Sequence, residues 1–321
     1  MKKRITALLL AVLALFALAA CGTSSDADTT PPADSATPTA AVSVKPASDR
    51  GGNAITVPET ITKVISLAPA TTQVIEDLGL LSTLVAVDTQ SPLYVNGVDG
   101  LPQYDLMTPD SEAMLVLAPD IVFVSGMSLV EADDPFKPLR DMGICVAVIP
   151  SSDSIAGIED DIRFIADCLG KSDAGEVIAA SMRADIDAIA KIGATISEKK
   201  TVLFEISAAP YIYSFGSGVF LHEMLDLIGA ENVFADQVSW IPVTEESAIL
   251  ANPDVVLTNV NYIDDSVGEV LSRTGWGEVT AVKNGAVYYI DNGASSLPNQ
   301  HIVTALKQMA KAVYPDAYAG L

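Results

Sequence analysis

From residue 54 onward, short uninterrupted apolar runs alternate with stretches in which apolar side chains recur every three or four positions. The runs at 64–67, 84–87, 121–124, 146–149, 202–206, 255–258 and 287–290 predict strands. They are apolar at successive rather than alternate positions, as a parallel sheet covered on both faces requires. Helical periodicity predicts helices at 72–78, 111–117, 157–169, 219–228, 245–250 and 302–313. The alternation of strand and helix predicts an α/β fold of parallel sheets with helical crossovers.

One segment breaks the rhythm. Residues 172–197 carry Val177, Ile178, Met182, Ile186, Ile189 and Ile192 at helical spacing, with no proline. A single helix of that span would run roughly 35–40 Å. It divides the chain into an N-terminal α/β lobe at 54–171 and a C-terminal one at 199–321, with 172–198 as the strut between them. The halves echo each other. Glu112 stands seven residues before Pro119-Asp120-Ile121-Val122, and Glu246 stands seven before Pro253-Asp254-Val255-Val256. Val74-Ile75-Glu76-Asp77-Leu78-Gly79 likewise pairs with Met224-Leu225-Asp226-Leu227-Ile228-Gly229, so two similarly built lobes are expected.

The chain opens with a different kind of pattern. Lys2, Lys3 and Arg4 precede an apolar stretch at 5–20 that is too short to span a bilayer. Leu18-Ala19-Ala20-Cys21-Gly22 follows the form of a bacterial lipobox. Residues 1–20 therefore read as a signal peptide, with the Cys21 thiol as the site of lipidation. Residues 21–53 are rich in Ser, Thr, Ala, Pro and Asp with almost no bulky apolar side chains, and read as a flexible tether. The expected location is extracytoplasmic, on the outer face of the cell membrane.

Charge narrows the function. Without residues 1–20, 15 of the 18 Lys and Arg remain against all 41 Asp and Glu, a formal charge of −26. Nucleic acid is excluded as a partner, because its binders carry basic patches. Cys145 would open a strand and Cys168 would close the helix that returns from it. The pair could form a disulfide in an oxidising compartment or remain two buried thiols. No catalytic motif is complete: Ser217 lacks the glycine two positions before it that G-x-S-x-G needs, and Leu221 stands in place of the third glycine of G-x-G-x-x-G. No Cys/His spacing suits a structural metal, and no intrinsic cofactor is expected.

Ligands of parallel α/β sheets bind outside the carboxyl ends of the strands. That rule selects Tyr94, Tyr104, Met107 and Met127 in the first lobe. In the second it selects Tyr211, Tyr213, Phe215, Trp240, Asn261 and Tyr262. Flat amphipathic rings give wide contact area and a polar tip at little entropic cost.

The stretches 63–72, 112–122, 240–256 and 285–305 resemble the cobalamin and iron–siderophore binding family of ABC-importer receptors. The resemblance covers about residues 54–316. It implies two Rossmann-like lobes joined by one rigid α-helix, with a ligand that carries iron or cobalt held between them. It further implies a monomer that docks on an ABC permease dimer, coupled to its cytoplasmic ATPase, through one glutamate per lobe, here Glu112 and Glu246. The resemblance also sets Trp240 at an aromatic position of the family's cleft. Arginines common in the family's late loop are missing from Ser295-Ser296-Leu297-Pro298-Asn299-Gln300-His301. That departure favours a ligand of low net charge, a corrinoid or neutral hydroxamate chelate, over an anionic siderophore. Haem is the alternative, with Met107 and His301 as candidate axial ligands. A sensor-coupled receptor and a surface-lipoprotein enzyme are the remaining rivals.

Overall fold

The computed structural model describes residues 45–129 and 134–321. The expected signal peptide at 1–20, the expected lipidation site Cys21 and the expected tether as far as residue 44 lie outside the described residues.

Five strands form the first sheet: β1 (Val64–Leu67), β2 (Leu84–Asp88), β3 (Gln103–Tyr104), β4 (Ile121–Ser125) and β5 (Cys145–Ile149). All are parallel, in the order β3-β2-β1-β4-β5. Every residue of β1, β4 and β5 is buried, including Ser66 and Ser125, as strands of a sheet covered on both faces require. The helices α1 (Pro69–Asp77), α2 (Ser111–Leu117), α3 (Lys137–Asp141) and α4 (Ile155–Cys168) connect them. Then comes α5 (Ser172–Gly193), the longest helix of the described chain, spanning about 33 Å at 1.5 Å per residue.

The second sheet repeats the plan. It contains β6 (Thr201–Glu205), β8 (Glu231–Asn232), β10 (Val255–Thr258) and β11 (Val287–Tyr289), all parallel, in the order β11-β10-β6-β8. Between them run α6 (Phe220–Leu227), α7 (Glu245–Ala251), α8 (Ser266–Leu271), α9 (Thr280–Lys283), α10 (Asn292–Ser296) and α11 (Ile302–Val313). An antiparallel ribbon of β7 (Ile212–Phe215) and β9 (Trp240–Val243) stands apart from this sheet.

Packing explains why α5 works as a strut. Its Met182, Ile186 and Ile189 belong to one continuous apolar cluster that includes Ile75 and Ile162 of the first half and Met224 and Leu306 of the second. The helix ends at Gly193, four residues short of the expected boundary. A Cβ at that position would lie 2.1 Å from the Leu227 carbonyl oxygen, so only glycine allows α5 this close to the end of α6. Gly175 plays the same part against α4, where an added Cβ would meet the Ala166 methyl at 2.3 Å.

The tether boundary at residue 53 needs correction, because residues 45–53 belong to the fold. Lys45 Nζ donates to the Cys168 carbonyl at 2.7 Å, and Arg50 N donates to the Val148 carbonyl at 3.1 Å. Asp49 is buried and accepts the Val148 N–H at 3.0 Å. The segment thereby satisfies the open edge of β5, which would otherwise be exposed for pairing. Its polar composition looks like a linker because its partners are main-chain groups rather than apolar surface.

Candidate functional site

Each sheet reverses its winding at one place, between β1 and β4 in the first lobe and between β6 and β10 in the second. The crevice outside the strand ends at such a point is the natural ligand site of an open α/β sheet. In the first lobe it yields a hollow of about 130 Å³ between Pro69 after β1, Ser125 and Met127 at the end of β4, and Pro150 after β5. Leu297 and Pro298 of the second lobe close it. That volume is below the roughly 300–1,000 Å³ of a small-molecule site. A solute of ordinary small-molecule size does not fit inside it in this arrangement of the lobes.

Asp161 also lines this hollow and is buried. It takes the Arg50 Nε–H at 2.6 Å and the Ser152 hydroxyl. Desolvation raises its carboxyl above the usual range, against the pull of those two donors. The sequence reading missed this group, because its cationic partner comes from the segment read as tether. Asp88, at the end of β2, is similarly buried and raised by desolvation, and accepts from the N–H groups of Gln90 and Ser91.

At the reversal point of the second lobe, the Tyr262 hydroxyl accepts the Ala208 N–H at 2.9 Å, tying the loop after β10 to the loop after β6. Its ring stays 66% exposed. Asn261 beside it is exposed. The β7–β9 ribbon supplies a second surface. Tyr213 pairs with Pro242 and Phe215 with Trp240, so these four share one face. Tyr213 and Trp240 are exposed, whereas Phe215 is fully buried and meets Trp240 edge-on at 5.9 Å. Phe215 is thus not a ligand contact but the support on which Trp240 rests. Tyr211 and Tyr213 line a hollow of about 400 Å³ with Pro242, Glu245 and Glu246.

The lobes meet through polar bonds. Tyr94 donates to Asn292 Oδ1 at 3.1 Å, and Asn292 Nδ2 donates to the Asn259 carbonyl at 2.8 Å. Burial raises the Tyr94 phenol, followed by the charge of Asp291, and this favours the neutral donor form. Asn299 Nδ2 donates to Gln73 Oε1 at 2.7 Å. Tyr94 is therefore an interlobe contact. Tyr104 is half-buried against the first lobe's core, and Met107 is exposed in the loop before α2.

The sequence leaves two pairings open, Met107 with His301 and Cys145 with Cys168. Met107 is exposed in the loop before α2, while His301 lies 3.4 Å from Asp77 Oδ2 at the far end of α1 and lines a hollow beside Val177 and Met182 of α5. Met107 does not line that hollow. Cys145 and Cys168 are both buried free thiols, not a disulfide. Among the described residues there is also no group of three or more His, Cys, Asp or Glu suited to a metal, and no helix long and apolar enough to cross a membrane.

Neither hollow at the crevice and ribbon presents a cation among the described residues. Arg273, near the end of β6, is held by both oxygens of buried Glu205 at 2.6 and 2.8 Å and lies 4.8 Å over the Trp276 ring. Its charge is already matched within the protein.

Glu112 and Glu246 occupy matching sites. Each is the second residue of a seven-residue helix and is exposed. The N-cap of α2 is Asp110, which accepts the Ala113 N–H at 3.0 Å; that of α7 is Thr244, which accepts the Ser247 N–H at 3.1 Å.

Residues 64–294 match the model of a family described as periplasmic binding protein. The chain belongs to that family. As a periplasmic binding protein it is 30% identical, over 99% of both chains, to the uncharacterized ABC transporter substrate-binding lipoprotein YvrC of Bacillus subtilis. It is 24% identical to the molybdate-binding protein MolA of Haemophilus influenzae, over 82% of this chain and 83% of MolA. A possible iron-binding, periplasmic solute-binding protein of Staphylococcus epidermidis superposes with a TM-score of 0.70 at 26% identity, over 80% of this chain and 100% of that one. This binding protein is the solute-capturing component of an ABC transporter, a class that works with a permease and an ATPase and is not enzymatic. Its α/β fold of parallel sheets is that of the two-lobed receptors.

Proposed function

We propose that this periplasmic binding protein is anchored by lipidated Cys21 to the outer face of the cell membrane and captures a corrinoid or metal chelate of low net charge. It acts as a monomer with no cofactor of its own, and the iron or cobalt arrives with the ligand. The observation that carries this reading is a pairing of features. The C-terminal lobe offers exposed rings at Tyr211, Tyr213, Trp240 and Tyr262, while the crevice and ribbon present no free cation among the described residues. Rings bind flat, partly apolar solutes. An anionic catecholate or a bare oxyanion would meet no Arg or Lys, the groups that recognise such charge. The ligand named for MolA therefore does not transfer easily to this crevice.

Delivery follows by docking of Glu112 and Glu246 on cationic groups of the permease. The test is tryptophan quenching of the mature chain titrated with cyanocobalamin, a ferric hydroxamate, a ferric catecholate, haemin and molybdate. Saturable quenching by cyanocobalamin or the hydroxamate, lost in Trp240→Ala, is expected. Binding of molybdate or the catecholate alone would overturn the low-charge reading, and a Soret shift with haemin alone would favour haem. For the docking step, Glu112→Lys, at a residue outside both hollows, should abolish uptake of the bound solute and leave the titration unchanged.

A further inference from the structure

Among the described residues, the two most exposed large apolar side chains are Leu250, at 86%, and Val116, at 84%. An isolated exposed aliphatic group is ordinary on a protein surface. These two, however, stand at the same register of a repeated element. Val116 follows Glu112 by four residues on α2, and Leu250 follows Glu246 by four on α7. A separation of four places each aliphatic group on the same helix face as its glutamate, one turn along.

The rest of the register matches as well. Met114 and Ala248 are the buried residues two positions after each glutamate. Leu115 and Ile249 pack partly against their lobes' cores. Both helices end in a left-handed residue, Ala118 at φ 48° and Asn252 at φ 46°. Neither Val116 nor Leu250 belongs to a core cluster. Packing within the chain therefore gives no reason for an apolar side chain at either place, on a protein whose mature surface is dominated by acids.

We infer that each half of the docking surface is a pair, an acid with an aliphatic group one turn away: Glu112 with Val116, and Glu246 with Leu250. The partner that fits is the permease dimer, presenting twice a cationic side chain beside an apolar recess. The repetition of one pair in the two lobes of a single chain is matched by two copies of one permease surface, and the acids are complementary to its cations. Seating the aliphatic group excludes water from the neighbouring ion pair, which strengthens it. This inference rests on the docking role proposed for the two glutamates.

The test uses the full lipidated chain in the cells that make it. A photo-cross-linking residue is placed beside each glutamate, at Ala113 or Ser247, and the captured protein is identified by mass spectrometry. Both positions should capture an ABC permease subunit. The double variant V116S/L250S should lower the yield at least fivefold with Tm unchanged to within about 1 °C, since both side chains are exposed. Glu112→Lys with Glu246→Lys should abolish capture. Loss of capture with the lysine variants but not with V116S/L250S would overturn the aliphatic half and leave glutamate docking standing. No permease capture at all would overturn both. Capture of a second copy of this chain would assign the face to self-association and overturn the inference.

Discussion

Asp120 and Asp254 perform the same structural task, one in each lobe. Asp120 Oδ2 accepts the Thr62 N–H at 2.7 Å and the Thr62 hydroxyl at 3.0 Å, binding the start of β4 to the entry of β1. Asp254 Oδ2 accepts the Thr201 N–H and hydroxyl, both at 2.9 Å, binding the start of β10 to β6. Each follows the proline just beyond the helix that carries Glu112 or Glu246. The register of the two glutamates against their sheets is thus fixed by the same side-chain bridge in both halves.

Removing either bridge should loosen the strand entry. Asp120→Ala and Asp254→Ala are each expected to cost about 1 kcal/mol, the net worth of a partly exposed charged acceptor. For Asp120 the effect has a sign in pH. The Thr62 N–H, then the Lys63 N–H and the Thr62 hydroxyl, hold its carboxyl below the usual range despite some desolvation. A folded value below the unfolded one means the contribution is present above about pH 3.9 and lost as pH falls through the folded value. Calorimetry should therefore show a Tm gap between parent and Asp120→Ala at pH 7 that closes toward pH 3. A gap that widened on acidification would refute the assignment.

Trp240 and Phe215 should separate binding from stability. Trp240 is exposed and Phe215 is buried beneath it. Trp240→Ala is expected to reduce ligand affinity at least tenfold with a small change in Tm. Phe215→Ala should cost about 3–5 kcal/mol in denaturant unfolding, as a cavity in the core does. A Trp240→Ala protein that binds normally would remove the ribbon from the site.

The main strands of both sheets were legible because each is a mostly apolar run bounded by turns, and α2 and α7 because Pro-Asp closes each one. The β7–β9 ribbon was not: Ile212-Tyr213-Ser214-Phe215 has too little contrast to reveal a strand whose partner lies 25 or more residues away. Phe215 was read as a ligand contact because loop position alone cannot tell a ring at the surface from the ring supporting it. Asp49, Arg50 and Asp161 escaped for a related reason. Their bonds span roughly 100 residues, and local composition carries no trace of them.

The bond between Tyr94 and Asn292 should set how firmly the lobes stay together. Tyr94→Phe keeps the ring and removes only the donor, with an expected loss of about 0.5–1.5 kcal/mol. Local opening of the second lobe's rim would become several-fold more frequent. Hydrogen exchange at residues 292–299 should quicken accordingly, while the sheet amides remain protected. Unchanged exchange there would mean that the bonds of Asn299 to Gln73 and of Gln300 to Asp77 hold the contact without it.

The two internal cysteines should behave as inert thiols. Burial, followed by the charge of Asp49, pushes the Cys145 thiol up to about 11. Burial also raises Cys168 strongly, with the proximity of Cys145 adding to it. At pH 8 the reactive thiolate of Cys145 is then about one part in a thousand, and a buried thiol is closed to reagent as well. In the native protein neither should react with a thiol-specific chromogenic disulfide over hours. In guanidinium both should react at once, giving two thiols per chain from Cys145 and Cys168. Finding none after unfolding, with a mass two hydrogens lighter, would show that the pair is bonded in the cell and that the free thiols seen here are not its resting state.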